Sequence, residues 1–179
     1  MTQSRRLIGM DPGLRNLGWG VIDVVRGKLT HVANGTISSN AKDDLADRLV
    51  QLMRGLEDVI ETHHPHQAAV ENSFVNKDGV ATLKLGQARA VCLIVPARKG
   101  IKVFEYAPNF IKRSITGAGH ADKYQINAMV KTLLPQAKPE SEHAADALAI
   151  AITHAHAGDL DERIIDNLVT QTTPLKVES

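Results

Sequence analysis

The sequence predicts a single α/β domain in which a sheet of mixed strand direction is flanked by helices. Apolar runs separated by turn residues fill residues 7–37, and apolar positions recur at helical spacing over residues 43–64. A short apolar strand follows that helix directly. A chain of 179 residues is long enough for one proper core. We therefore expect a domain at residues 1–157 and a flexible C-terminal tail at residues 158–179.

The first three strands are predicted to form an antiparallel meander. The run LIGMD is short and apolar, and a Pro-Gly turn signal ends it. Asp11 therefore lies where a buried strand ends. Residues 18–25 and 28–37 predict two further strands, joined by an Arg-Gly turn. Such short links between the strands favour antiparallel pairing.

The next two elements allow a parallel strand pair. Residues 43–64 predict an amphipathic helix, and AAVEN at residues 68–72 predicts a short buried strand that ends at Glu71. Because a helix precedes this strand, the strand can return parallel to the first one. Neighbouring strands lie about 4.8 Å apart. The carboxylates of Asp11 and Glu71 would then face one small volume.

The last part of the chain predicts one strand and three helices. The strand covers residues 103–108, and the helices cover residues 83–97, 122–134 and 141–156. Ser141 is a suitable N-cap for the final helix. His143 and Asp146 are three residues apart and share one face of that helix. The helix is otherwise rich in Ala, Ile and Leu, so Asp146 needs a cation, a hydrogen-bond donor or a metal.

Composition and charge set broad limits on the class of protein. The formal net charge is +1, but residues 97–138 carry eight basic side chains against two acidic ones. Such a region is commonly a solvated face, and it is also the kind of field that polyanions use. The single cysteine, Cys92, excludes an intramolecular disulfide framework and fits the cytoplasm. We expect no membrane span and no signal peptide.

Three carboxylates at the ends of buried elements predict a metal site. Asp11, Glu71 and Asp146 would repel one another unless a cation gathered them. Taken alone, Asp11 is an ordinary turn residue and Asp146 an ordinary capping or ion-paired acid. Oxygen ligands suit Mg²⁺, and two such ions can support phosphodiester cleavage. An acid cluster with a basic flank therefore predicts a nuclease.

Seven segments together resemble the RuvC-type Holliday-junction resolvases of bacteria, over about residues 7–156. They are GMDPG, GWGVI, VENSF, LKLGQARAV, VFEYAP, KRSITGAGHADK and HAADALAIAITH. The resemblance implies an RNase H-like fold with a five-stranded mixed sheet, and a homodimer that nicks opposing strands of four-way junction DNA. It implies two Mg²⁺ ions per active site, with Mn²⁺ able to substitute. It also implies work with a branch-migration motor complex of the RuvA and RuvB type in recombination and repair.

The resemblance assigns catalytic and metal-binding roles to four positions. Asp11, Glu71 and Asp146 match the catalytic acids of the family. His143 occupies a fourth position, where many members have an aspartate. The resemblance leaves open whether His143 is a metal ligand or a proton shuttle.

The resemblance also points to three DNA-binding residues. Lys112 and Lys123 match lysines that contact substrate in the family, although without the family each is an ordinary surface lysine. Phe74 lies in the loop NSFVNKDG. Its ring could stack on an unpaired base at the junction centre, or anchor the loop on the core.

Two other classes of function compete with the nuclease. The actin-like ATPases and sugar kinases share an aspartate-glycine strand turn on a related fold. They need a duplicated domain and a second phosphate loop, which 179 residues cannot supply. A junction-binding scaffold without catalysis is the second alternative. The presence of all three acids argues against it, and a cleavage assay separates the two.

Overall fold

The computed structural model describes residues 4–72 and 78–171, with residues 159–171 as backbone only. Its centre is one five-stranded sheet with the strand order β3-β2-β1-β4-β5. The elements in chain order are β1 (Arg5–Asp11), β2 (Asn16–Val25), β3 (Lys28–Ser38), α1 (Leu45–His63), β4 (Gln67–Glu71), α2 (Gly79–Arg98), β5 (Lys102–Tyr106), α3 (Pro108–Thr116), α4 (Lys123–Leu133) and α5 (Glu142–Gln171). The predicted mixed sheet with flanking helices is confirmed.

The directions of strands β1 to β4 follow the prediction. Strands β1, β2 and β3 form an antiparallel meander, and the β2–β3 turn places Arg26 and Gly27 at positive φ. Strand β4 pairs parallel to β1, with Met10 beside Val70, and β5 pairs parallel to β4. The sheet therefore brings the carboxyl ends of β1, β4 and β5 to one edge.

The two faces of the sheet carry separate cores. Because side chains alternate along a strand, Leu7 faces α5 while Ile8 and Met10 face α1 and α2. Helices α3 and α4 also pack on the α5 side. The α5 core is rich in alanine, and the opposite core uses larger side chains from α1.

The largest differences from the prediction lie around α3 and at the end of α5. Helix α3 was not predicted, although Pro108 in its first turn and Gly117 at a left-handed C-cap are typical helix boundaries. The strand predicted over residues 103–108 ends at Tyr106 because Pro108 begins that helix. Helix α5 continues to Gln171 instead of ending at His156. No proline lies within residues 157–171, and one glycine costs a helix only about 1 kcal/mol. The domain boundary at residue 157 stays a prediction.

Helix α2 corrects the expectation that no stretch approaches a membrane span. By length and composition alone it could cross a membrane, and only 28% of its most apolar window is buried. It nevertheless packs on α1, β4 and β5. Its buried residues include Ala88, Val91 and Cys92. This helix belongs to the core, with part of its apolar surface facing outward.

Candidate active site

Two of the predicted acids lie side by side at one edge of the sheet. In the β1–β4 register Met10 pairs with Val70, so Asp11 and Glu71 are the next residues on adjacent parallel strands. Glu71 also pairs with Tyr106 of β5. The parallel crossover predicted from sequence therefore places both carboxylates at the same edge.

Helix α5 reaches these strands because glycines line its path. A methyl group added at Gly9 would overlap the carbonyl oxygen of Ala147, and one added at Gly18 would overlap that of His143. The helix backbone thus lies directly on β1 and β2. This close approach holds the first turns of α5, which carry His143 and Asp146, over the end of β1.

His143 bonds directly to Asp11. Its Nδ1 lies 2.7 Å from Asp11 Oδ2, and the Asp11 side chain is only 18% exposed. The pKa of Asp11 is raised to about 6, mainly by burial and also by the charges of Asp146 and Glu71, while the hydrogen bond with His143 opposes the rise. Above that pH Asp11 is an acceptor only, so Nδ1 donates the proton. The Nε2 lone pair of a neutral His143 is then available to a ligand or a proton.

Lys123 supplies a positive charge beside Asp146 of α5. Its ammonium lies 3.4 Å from Asp146 Oδ2 and 2.9 Å from Glu142 Oε2. The hydrogen bond to Glu142 is the main reason that the pKa of Lys123 is raised. Because the pair joins α4 to the first turn of α5, only the tertiary fold reveals it.

A cavity of about 310 Å³ connects the acids to both predicted lysines. Glu71, Lys112, Lys123 and Asp146 all line it. The structure thus brings together six of the seven predicted site residues, in direct contact or around this cavity. Phe74 lies outside the described residues. The catalytic, metal-binding and DNA-binding roles of all seven stay predictions.

The donor set fits a hard divalent ion. Three carboxylates and one imidazole lie at this edge, and the charges of Asp146 and Glu71 contribute to the raised pKa of Asp11. Among the described residues, no three His, Cys, Asp or Glu side chains are close enough together to ligate one ion as they lie. Gathering them around one ion requires side-chain movement.

Arg89 is a site neighbour that sequence reasoning missed. It forms an ion pair with Glu105, and its Nε donates to the backbone carbonyl of Glu71 at 3.3 Å. An arginine beside the buried stripe of an apolar helix needs a carboxylate partner, and that signal was present in the sequence.

Cys92 is buried nearby, and burial with the neighbouring Asp11 charge strongly raises the pKa of its thiol. Cys92 is therefore a packing residue, as predicted.

Sequence comparison gives the family. Residues 7–154 match the family model described as crossover junction endodeoxyribonuclease RuvC. RuvC of Parvibaculum lavamentivorans is 60% identical over 164 residues, which cover 92% of this chain and 94% of that protein. RuvC of Agrobacterium fabrum is 54% identical over 167 residues, which cover 92% of this chain and 98% of that protein.

Structure comparison agrees. RuvC from T. thermophilus in complex with Holliday junction substrate matches with a TM-score of 0.82 and 29% identity, over 88% of this chain and 96% of that one. The yeast mitochondrial Holliday junction resolvase Ydc2 matches with a TM-score of 0.65 and 14% identity, over 93% of this chain and 86% of that one. The second match supports the fold alone. The resemblance stated above is confirmed, and the chain belongs to the RuvC family of crossover junction endodeoxyribonucleases.

Proposed function

We propose that this chain resolves four-way DNA junctions by symmetric, Mg²⁺-dependent nicking of two opposing strands during recombination and repair. One observation carries the proposal: the largely buried Asp11 carboxylate contacts His143 Nδ1 at 2.7 Å and follows Met10 at the strand end beside Glu71, with Asp146 three residues after His143 on α5. The relatives support the substrate class, since they are crossover junction endodeoxyribonucleases. The similar T. thermophilus protein holds a Holliday junction.

Asp11, Glu71, His143 and Asp146 would hold the metal. When bound, a pair of Mg²⁺ ions would activate the attacking water and stabilise the leaving oxygen, and Mn²⁺ would substitute for them. The chain itself supplies a largely buried carboxylate at Asp11 and an oriented imidazole at His143. The His143–Asp11 hydrogen bond fixes the ring so that Nε2 is the free nitrogen.

The decisive experiment uses a labelled synthetic four-way junction, with and without Mg²⁺. We expect the parent to nick paired strands only with the metal. Asp11→Asn and Glu71→Gln should abolish nicking and keep junction binding, because each removes metal-binding charge from a nearly isosteric side chain. The matched control is Asp47→Asn, which removes an exposed carboxylate in the first turn of α1 and should nick like the parent. Binding without cutting by the parent would instead make the protein a scaffold.

A second experiment separates the roles open to His143. His143→Asp supplies an oxygen ligand and should keep nicking in Mg²⁺. His143→Ala should lose most activity in Mg²⁺ and partly recover it in Mn²⁺, which accepts the remaining ligands more readily. Rates of nicked-strand formation in both metals measure this. Parental activity of the alanine variant in both metals would leave a site of three carboxylates.

Lys112, Lys123 and Phe74 would contact the junction. The two lysines line the same cavity as Glu71 and Asp146, so their ammonium groups can hold phosphates beside the acids. Lys123 would exchange Asp146 for a phosphate when a metal takes the carboxylate. Phe74 would stack on an unpaired base.

A homodimer would supply the second nick, because the described part of one chain brings its predicted acids together at a single sheet edge. Val80, Leu83 and Ile94 on α2 are 61%, 64% and 54% exposed, and their spacing places them on one helix face. We assign this face to a second copy. Leu83→Lys with Ile94→Lys should lower the sedimentation coefficient to that of a monomer and abolish paired nicks. A dimer that survives both changes would exclude this face. A RuvA- and RuvB-type motor as partner and a cytoplasmic location complete the proposal.

A further inference from the structure

Arg89 connects helix α2 to the strand end that carries Glu71. Its side chain is 20% exposed and forms an ion pair with Glu105 of β5. In the β4–β5 register, Glu105 lies beside Val70, the residue before Glu71. The Arg89 Nε donates to the backbone carbonyl of Glu71 at 3.3 Å. One guanidinium therefore contacts both strands at the edge where the acids meet.

This contact lies where the pairing between β1 and β4 ends. The β1–β4 ladder ends with Met10 and Val70, one residue before Glu71. On the other side, Glu71 still pairs with Tyr106, and the amide of Asn72 bonds the Tyr106 carbonyl. Arg89 adds a hydrogen bond from the helix layer at Glu71, one residue beyond the end of the β1 ladder. The planar guanidinium suits this task because Glu105 holds its orientation.

We infer that Arg89 is a positioning residue for the nicking reaction, which it serves by holding the backbone of Glu71 from α2. It acts through Glu71, whose carboxylate it places relative to Asp11 and Asp146. The inference rests on the proposed function, because it treats Glu71 as a metal ligand. It also predicts that a change in α2 is felt at the active site.

The test compares Arg89→Met with Arg98→Met. Arg98 is on the same helix, pairs with Glu57 at 3.5 Å and is 64% exposed, so it controls for the loss of a helix arginine. Mn²⁺ binding to the DNA-free protein is measured by electron paramagnetic resonance. Junction affinity is measured in EDTA and nicking rate at saturating metal. Arg89→Met should weaken Mn²⁺ binding about tenfold and slow nicking at least as much, as for other partners of metal ligands. Junction affinity should stay within about twofold, and Arg98→Met should match the parent throughout.

Two further variants keep the test valid if Arg89→Met folds poorly. Arg89→Lys retains the charge but loses the planar guanidinium with its several N–H donors. Its Mn²⁺ affinity and nicking rate should therefore lie between those of the parent and Arg89→Met. Glu105→Gln should act in the same direction with a smaller effect, and adding it to Arg89→Met should change nothing more. Loss of junction affinity in place of Mn²⁺ affinity, or effects no larger than those of Arg98→Met, would overturn the inference. A parent that does not nick junctions would instead defeat the proposed function.

Discussion

The two faces of the sheet hold their helices in different ways. On the α5 face, Gly9 and Gly18 let the helix backbone touch the strands, and added methyl groups would overlap Ala147 and His143. On the opposite face, α1 packs through larger side chains such as Leu52. The first arrangement leaves no room for adjustment, whereas side-chain packing can absorb small shifts.

This difference corresponds to the division of the candidate site. His143 and Asp146 are placed by backbone contact between α5 and the glycines. Glu71 is on the strand that Arg89 contacts from the opposite helix layer. The site therefore joins a half placed by close backbone contact to a half that β5 pairing and the Arg89 side chain hold. Substitutions on the two faces should consequently differ in kind as well as in size.

The largest effect should come from Gly18→Ala. Its methyl group would displace the first turn of α5, because the obstructing atom is the backbone oxygen of His143. We expect a loss of about 3 kcal/mol in the free energy of unfolding and at least a hundredfold slower nicking. Urea unfolding and single-turnover nicking measure the two effects.

Gly35→Ala is the matched control for that change. Gly35 is on β3, and its added methyl would lie 2.8 Å from the Trp19 ring instead of from a backbone atom. Stability should fall, but the nicking rate of the folded protein should stay at the parental value. Equal losses of nicking in both variants would contradict the view that the glycines place the α5 residues.

The second largest effect concerns the charge on Asp11. Burial raises its pKa from 3.8 to about 6. Protonated Asp11 makes its whole contribution to the free energy of unfolding below about pH 4, and this contribution is lost as the pH rises through about 6. This amounts to about 3 kcal/mol. In EDTA, Asp11→Asn should therefore be more stable than the parent at pH 8, and the difference should disappear near pH 4.

Asp23, on the α1 side of the sheet, should show the opposite dependence of stability on pH. Arg6 pairs with Asp23 and also bonds the carbonyl of His63 at the end of α1, and this pairing lowers the pKa of Asp23. Stability from a lowered carboxyl pKa is present at neutral pH and is lost as pH falls. Asp23→Asn should therefore destabilise the protein at pH 8. Urea unfolding of both variants at pH 4 and pH 8 measures these changes in the free energy of unfolding. If Asp11→Asn were less stable than the parent at pH 8, ionised Asp11 would not destabilise the fold.

Much of this architecture could be predicted from local sequence. The meander, the first helix and the parallel return of β4 follow from hydrophobic period and turn residues, and they place Asp11 beside Glu71. The N-cap at Ser141 was also correct, since its Oγ accepts from the amide of Ala144. Signals of this kind act within a few residues, so a single sequence contains them.

The contacts that could not be predicted depend on how distant elements pack together in the tertiary structure. The Lys123 contact with Asp146 requires that α4 and α5 meet, and no local pattern specifies their distance. The Arg89 contact with Glu71 likewise spans 18 residues and joins different layers. Helix α5 continues beyond its predicted end because no proline in residues 157–171 stops it.

A third test asks which face the DNA meets. Lys112→Ala and Lys123→Ala, on the α5 side, should each slow nicking. Each should also reduce the slope of log affinity against log salt by about 0.9. Lys99→Ala is the control, because Lys99 follows α2 on the other face and pairs with Glu61. Junction affinity at several salt concentrations measures the slopes. Unchanged slopes for Lys112 and Lys123 would leave both as ordinary surface residues.

The smallest effect should come from Ser141→Ala, at the N-cap of α5. The Ser141 Oγ lies 3.0 Å from the Ala144 amide and 2.6 Å from Thr36 Oγ1, so its removal frees the first turn of the helix. We expect a loss of about 1 kcal/mol in stability. Nicking should slow about threefold, because His143 is in that turn. Ser141→Thr keeps the oxygen and should restore both quantities. On the other face, Asp44 precedes α1 without a side-chain cap bond, so Asp44→Ala should cost less and leave nicking unchanged. If Ser141→Ala reduced stability but left nicking untouched, the rigid contact with the glycines alone would suffice to place His143.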